Sequence, residues 1–308
     1  MEIKIITDIQ DAQKLWNYFS PHHNIDDEWK FRYAFLKHLN FDLKFIVVYE
    51  NEHPIALLPL QENTGKGLLP PYAQKTDFLE FFGGDDTDNN NLMVIPEHES
   101  KRKEIFKLLE KSIPKKTVLA PLSPDAADIF QRAHYEDLYI LDLKKYSDHE
   151  NFIDDKWDGN SRSKFKRNIR NLYKRNKIQI IRNRFSDLDR LFELNLNRYG
   201  ESSSFNYSYR KEIFKELIKY YDVEMISICV NGKIEAVSYA INFNNIYYAM
   251  NMGVNTEINN IGKLLVLLQI DIAIEKKCTI YDAGKGESGW KEGFHFNKIP
   301  QYKYAFTQ

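Results

Sequence analysis

The sequence predicts a mixed α/β protein of two tandem domains, each a central, mostly antiparallel sheet flanked by helices. Three observations lead there: the length, an order of elements that occurs twice, and an uneven division of charge. At 308 residues the chain is about twice an ordinary domain. Hydrophobic residues at 43% and charged residues at 28% exclude disordered, fibrous and coiled-coil classes. Residues 1–150 carry a net charge of -8 and residues 151–308 one of +7, so an anionic ligand is expected nearer the second half.

The second half shows the order most clearly. Ile178 to Ile181 reads as a strand. Ser186-Asp187-Leu188-Asp189 opens a helix with Ser186 as N-cap and an acidic residue three places on, and that helix stops at Gly200. A second helix is predicted over about Tyr207 to Tyr221, with Ile213, Phe214, Leu217 and Ile218 as its buried stripe. Val223 to Val230, Ile234 to Phe243 and Ile246 to Met252 follow as strands, separated by the turn pairs Asn231-Gly232 and Asn244-Asn245, so a three-strand antiparallel meander is expected. A nearly all-apolar helix from about Gly262 to Lys277 and a strand at Thr279 to Tyr281 complete the set.

The first half repeats this order. Strand Ile3 to Ile6, helices at Asp11 to Phe19 and Glu28 to Leu39, and strands at Phe45 to Tyr49, Pro54 to Pro59 and Phe78 to Phe82 lead to a helix at Glu99 to Lys111 and a strand at Thr117 to Ala120. The expected division is therefore a first domain over residues 1–147, a basic linker helix over 148–177, and a second domain over 178–308.

No apolar signal core follows Met1, and the longest unbroken apolar run, Leu264 to Leu268, is far shorter than the roughly 18 to 20 residues of a membrane span. A cytoplasmic protein is expected. Cys229 and Cys278 cannot build a disulfide framework and sit in no metal-binding pattern; His22-His23 lacks the spacing of a helix-face pair, so no metal is implied.

Candidate chemistry lies in three places. Asn260, Ile261, Gly262 and Lys263 feed directly into a helix, where free backbone N–H groups and the helix dipole suit a pyrophosphate; an ordinary helix entry is the alternative. Between Tyr281 and Phe294, four of the 13 glycines cluster after a strand, as in a loop whose backbone approaches a substrate. There Asp282 is a base, a substrate-positioning carboxylate or a partner of Lys285 and Lys291. Tyr248 and Asn251 lie on the third meander strand, facing either an acceptor or the core. On the basic helix, Phe165, Ile169 and Leu172 share one face and Arg162, Arg167 and Arg170 lie on others, which makes those a solvated face, a phosphate-binding face or a nucleic-acid groove.

The run Asp282-x-x-x-Gly286-x-x-x-Trp290-Lys291-x-x-Phe294 resembles the Asp…Gly…Tyr-Lys-x-x-Phe-Gly ending of the FemAB-like branch of GNAT proteins, which includes the CelD/BcsL acetyltransferase group. The element order is similar to that of the GNAT acyltransferase fold, in which two central strands splay apart around the acyl donor. The basic stretch Ser161 to Arg170, and Ile55 to Leu60 with Phe81-Phe82-Gly83-Gly84-Asp85 in the first half, are also similar to family segments. Trp290 stands where the family has Tyr, and His295 where it has Gly.

The resemblance implies an N-acyltransferase moving an acyl group, first acetyl from acetyl-CoA, to an amine of a small molecule, sugar nucleotide or cell-envelope precursor. In it Lys291 stabilises charge on the reacting acyl group or binds a substrate phosphate, Asp282 positions or deprotonates the amine, Asn260 to Lys263 hold the donor, and Arg162, Arg167, Arg170, Tyr248, Asn251 and Trp290 contact the acceptor. Two alternatives stand beside it, an aminoacyl-tRNA-dependent transferase and a non-catalytic binding protein. The first domain, whose Asn89 to Pro96 stretch has no Gly with which to cradle a phosphate, is expected to be inactive.

Overall fold

A computed structural model describes residues 1–63, 78–113, 117–122, 124 and 133–305. The chain forms two compact units, residues 1–138 with 299–308, and residues 139–298.

In the first unit, β1 (Glu2–Ile6), α1 (Ile9–Phe19), α2 (Trp29–Leu39), β2 (Asp42–Glu50), β3 (His53–Asn63), β4 (Phe78–Phe81), β5 (Met93–Val94), α3 (Arg102–Glu110) and β6 (Val118–Leu122) follow the expected order, with the short β5 as an unexpected addition. The sheet runs β1-β2-β3-β4, with β5 also on β3. Strands β2 and β3 turn at Asn51 and Glu52, both at positive φ. One side of this unit is aromatic: Phe82 lies 5.4 Å from Trp16 and Phe45 and 4.9 Å from Trp29, ring to ring. Beside it Arg32 is fully buried, donating to carbonyl oxygens of Asp26, Phe82 and Asn89 and to the Asn90 side chain. Burial lowers its pKa to about 10, and burial raises that of Asp26 to about 6 against the opposing pull of Arg32.

Strand β7 (Ala133–Asp142) passes from the first unit into the second, which continues with α4 (His149–Lys156), α5 (Gly159–Arg175), β8 (Ile178–Arg182), α6 (Leu188–Tyr199), α7 (Ser208–Leu217), β9 (Asp222–Val230), β10 (Lys233–Phe243), β11 (Ile246–Val254), α8 (Ile261–Glu275), β12 (Ile280–Lys285) and α9 (Trp290–Gly293). Here the strand order is β7-β12-β11-β10-β9-β8. Both predicted meander turns form, with Asn231, Gly232, Asn244 and Asn245 all at positive φ, as two-residue hairpins require. Helix α8 is buried along most of its length, which is why its sequence is apolar on all sides. Among the described residues no helix is long and apolar enough to cross a membrane.

The units divide the chain elsewhere than at 147/148 and 177/178. Helix α5 buries Phe165 and Leu172 in the core of the second unit, so the basic segment is built into that unit instead of joining two others. The last strand, β13 (Asn297–Ala305), returns to the first unit and pairs there with β6 through Tyr302↔Leu122 and Tyr304↔Leu119. Neither β7 nor β13 was expected from periodicity. The cap of α6 is Asp187, not Ser186, because a short 3-10 turn over Phe185–Asp187 precedes the helix; the Asp187 carboxylate accepts from Ser227 Oγ (2.5 Å) and Arg184 Nε (2.8 Å).

Helix α6 sits on β11 at the closest possible distance. A Cβ at Gly253 would lie 2.4 Å from the Leu191 carbonyl oxygen and 2.8 Å from Leu194 Cβ, so only glycine admits the helix at that depth. Gly253→Ala is expected to push α6 outward and destabilise the protein by about 1–3 kcal/mol, the usual cost of overpacking. The midpoint of urea unfolding measures it, and an unchanged midpoint would show that α6 is not held by this contact.

Candidate functional site

The β10–β11 ladder keeps one register from Ala236↔Val254 to Tyr239↔Asn251 and another from Ile241↔Tyr248 onward. Ala240 therefore faces two residues, Ala249 and Met250, and β11 carries a bulge there. On its other side β11 pairs in parallel with β12 only through Ile246↔Ile280, Tyr247↔Tyr281 and Tyr248↔Asp282. Both strands run on, β11 to Val254 and β12 to Lys285, without further pairing between them. The bulge begins where the parallel ladder ends. A strand that bends away leaves its N–H and C=O groups on that edge without ladder partners, and they offer themselves to an extended ligand.

Tyr248 and Asp282 close the paired end of this gap, at 7% and 8% exposure. The Asp282 carboxylate accepts the Gly284 N–H at 2.8 Å, a tight turn that holds it at the strand end. Beyond it Gly284, Gly286 and Gly289 all have φ between 70° and 86°. Gly284 and Gly289 have open space where a Cβ would be, so their φ and not crowding calls for glycine.

Lys291, 5% exposed, reaches back under this loop. Its ammonium donates to the carbonyls of Gly284 (2.9 Å), Lys285 (2.6 Å) and Gly286 (3.1 Å) and stands 5.1 Å above the Tyr139 ring. Three carbonyls take the three protons an ammonium can donate. The geometry thus makes Lys291 a clamp for the glycine loop, whereas the sequence suggested an ammonium directed at the substrate. Tyr139, fully buried, donates its hydroxyl to Glu292, which lowers the Glu292 pKa. Trp290 is half-buried, edge-on to Phe294 and Phe296 at 6.2 and 6.0 Å, so the indole fills the site as an apolar wedge. His295 has φ 56°, the left-handed conformation that glycine favours.

At the other end of β11, Asn260 caps α8 in the left-handed region (φ 69°), and no side chain satisfies the first turn. Ile261 is buried, and a Cβ at Gly262 would lie 3.7 Å from Val254 Cγ1, an ordinary contact; Lys263 is exposed and stands 5.3 Å over the Phe165 ring. Asn251 accepts from Asn195 Nδ2 (3.0 Å), which also reaches the Met252 carbonyl (3.2 Å), and Asn195 accepts from Ser203 Oγ (2.7 Å). Asn195 and Ser203, which tie α6 to the free half of β11, were not among the expected site residues. An Asn on the otherwise apolar face of the α6 helix was the available signal.

The three arginines do not act together. Arg162 is half-buried beside Asp154 (3.7 Å) and lines an open cleft of about 850 Å³, together with Trp157, Phe165, Lys263 and His295. Arg167 and Arg170 are exposed on α5, and the structure gives neither an ionic partner.

Residues 159–292 match the family model for the acetyltransferase (GNAT) domain. No curated protein matches the sequence. Among solved structures, FemX is similar over 99% of this chain and 97% of its own, with 12% identity and a TM-score of 0.59. The C-terminal domain of a putative lysylphosphatidylglycerol synthetase from Agrobacterium fabrum is similar over 97% and 92%, at 9% identity and TM-score 0.59. A tandem GNAT protein from the clavulanic acid biosynthesis pathway covers 100% and 99%, at 9% identity and TM-score 0.55.

If Lys291 is a clamp, Lys291→Met leaves three loop carbonyls without their charged donor. A loss of about 2 kcal/mol or more in unfolding free energy is expected, with faster proteolysis near 284–289. Unchanged stability with turnover abolished would instead make the ammonium a direct participant.

At these identities the structural likenesses show the fold, and the family model shows its domain over the matched segment alone: the chain has the tandem GNAT fold, and residues 159–292 of its second unit match the acetyltransferase (GNAT) domain.

Proposed function

We propose that this chain is an N-acyltransferase that moves an acyl group, first of all acetyl from acetyl-CoA, to an amine of a small molecule, sugar nucleotide or cell-envelope precursor. The observation that carries the reading is the parting of β11 and β12 after Tyr248↔Asp282, with the uncapped start of α8 following the free end of β11. An extended pantetheine arm fits a strand edge that lacks its ladder, and the diphosphate fits the backbone of Asn260, Ile261, Gly262 and Lys263.

In this reading the amine nitrogen attacks the thioester carbonyl. The C–N bond forms, the C–S bond breaks, and the sulfur leaves as a thiolate that takes up a proton. Asp282, held at the strand end by the Gly284 N–H, positions the amine and receives its surplus proton. Lys291 keeps the loop behind Asp282 in place, Trp290, Tyr248 and Asn251 bound the acceptor, and Arg167 and Arg170 are free to meet an anionic acceptor. Among the described residues of the first unit, the β4 and β6 sides are joined by bridges Leu79↔Thr117 and Asn90↔Leu122, and Asn90 donates to the Pro121 carbonyl (3.0 Å), and this unit is read as non-catalytic.

One observation favours a second reading, transfer from aminoacyl-tRNA. Helix α5 has no acidic residue and presents Arg167, Arg170 and Lys174 on one exposed face, a pattern suited to a phosphate backbone. RNA that copurifies with the protein would select it.

Isothermal titration with acetyl-CoA tests the first reading. Micromolar binding is expected, with a loss of a hundredfold or more in Gly262→Glu, a position with room for a Cβ but none for a carboxylate beside a diphosphate. Absence of binding to the unaltered protein would overturn acetyl-CoA as donor.

A further inference from the structure

We propose that the outward face of α5 docks the protein on the surface of an anionic lipid bilayer. The inference stands apart from the choice of donor and acceptor above and concerns cations that neither the core nor the cleft takes up.

Between Asp158 and Asp187 the chain has ten Lys and Arg and no Asp or Glu. Helix α5 sorts its share of them by partner. Phe165 and Leu172 bury one side of the helix in the core, and on the flank Lys166 is tied to Glu150 (2.6 Å) and Asp154 (2.7 Å) of α4. Arg167, Arg170 and Lys174 lie on the opposite side, exposed, and among the described residues their side chains meet no ionic partner. At about 3.6 residues per turn the three fall within an arc of about 60° and span about 10 Å of the helix axis. Lys164 and Arg175, exposed and equally unpaired, flank them. Like charges three and four residues apart repel one another along a helix, a cost that no acidic neighbour offsets here and that an anionic partner would remove.

A flat anionic surface is the partner this arrangement fits. The cations stand in one row on the outside of a single helix, so all of them reach a plane together, whereas a nucleic-acid strand is tracked by a groove. The cleft beside α5 takes in Arg162 and Lys164 at the start of the helix and none of the cations beyond them. Tyr173, 45% exposed, borders Arg170 on the helix surface, and a tyrosine ring turned outward at the edge of a basic row suits the headgroup layer, where amphipathic rings sit. The apolar side of α5 is already taken up by the core, so the contact is made by charge and not by insertion of the helix. Each basic residue at an anionic membrane raises affinity about fivefold, and three together about a hundredfold.

Sedimentation of the full chain with phosphatidylcholine vesicles, with and without phosphatidylglycerol, tests the proposal. At about 0.1 M salt, where charges are screened over about 10 Å, the protein should sediment with the anionic vesicles and not with the neutral ones, and about 1 M salt, which screens over about 3 Å, should release it. Arg167→Gln, Arg170→Gln and Lys174→Gln combined should weaken vesicle binding about a hundredfold without moving the thermal midpoint. Arg167→Lys with Arg170→Lys, which keeps the charge, should leave binding within about twofold. Lys103→Gln, Lys107→Gln and Lys111→Gln combined remove the same charge from exposed positions of the first unit and should leave vesicle binding unaltered. Equal sedimentation with the neutral vesicles, sedimentation with neither, or an equal loss in the Lys103, Lys107 and Lys111 variant would overturn the proposal. An RNA hairpin that binds the unaltered chain and not the Arg167, Arg170 and Lys174 variant, with no sedimentation on anionic vesicles, would give the face to nucleic acid and overturn the lipid surface.

Discussion

The second unit depends on one event in its sheet, the failure of β11 and β12 to remain paired. A parallel ladder that continued past Tyr248↔Asp282 would give a closed sheet with no entry for an extended ligand. The extra residue in β11 opposite Ala240 turns the strand away at that point, and the tight seat of α6 at Gly253 holds the bent half where it is. A bulge increases local twist and ends pairing, and here it does so beside the buried Asp282 carboxylate of β12.

Around the opening, charge is spent on shaping backbone. The Lys291 ammonium gathers the three carbonyls of a glycine loop, and the same loop carries the N–H that fixes Asp282. A buried ammonium without partners would be costly, and three carbonyls in reach satisfy it. The first unit applies the same physics to the opposite end. Arg32, just as buried, is satisfied by carbonyls of residues 26, 82 and 89 and by Asn90, and it ties those segments together.

The elements with strong local signals were legible in the sequence. Asn231-Gly232 and Asn244-Asn245 fixed the meander because those residues accept positive φ, and the apolar run of α8 announced a helix enclosed on all sides. What was not legible depends on partners distant in sequence. Gly253 reads as an ordinary strand glycine until Leu191 is placed over it, and β13 is recognisable only through its pairing with β6. Lys291 was found by its motif, but a motif gives the position of a side chain and not the direction of its ammonium. The Ser186 cap failed for a local reason, since a 3-10 turn shifted the helix start by one residue and gave the role to Asp187.

In the proposed reading the donor lies along the free edge of β11, and hydrogen–deuterium exchange with and without acetyl-CoA tests this placement. Slower exchange confined to the amides of residues 249–254, 261–264 and 283–286 is the predicted result. Protection that skips 249–254, or exchange unaltered by saturating acetyl-CoA, would contradict the claim.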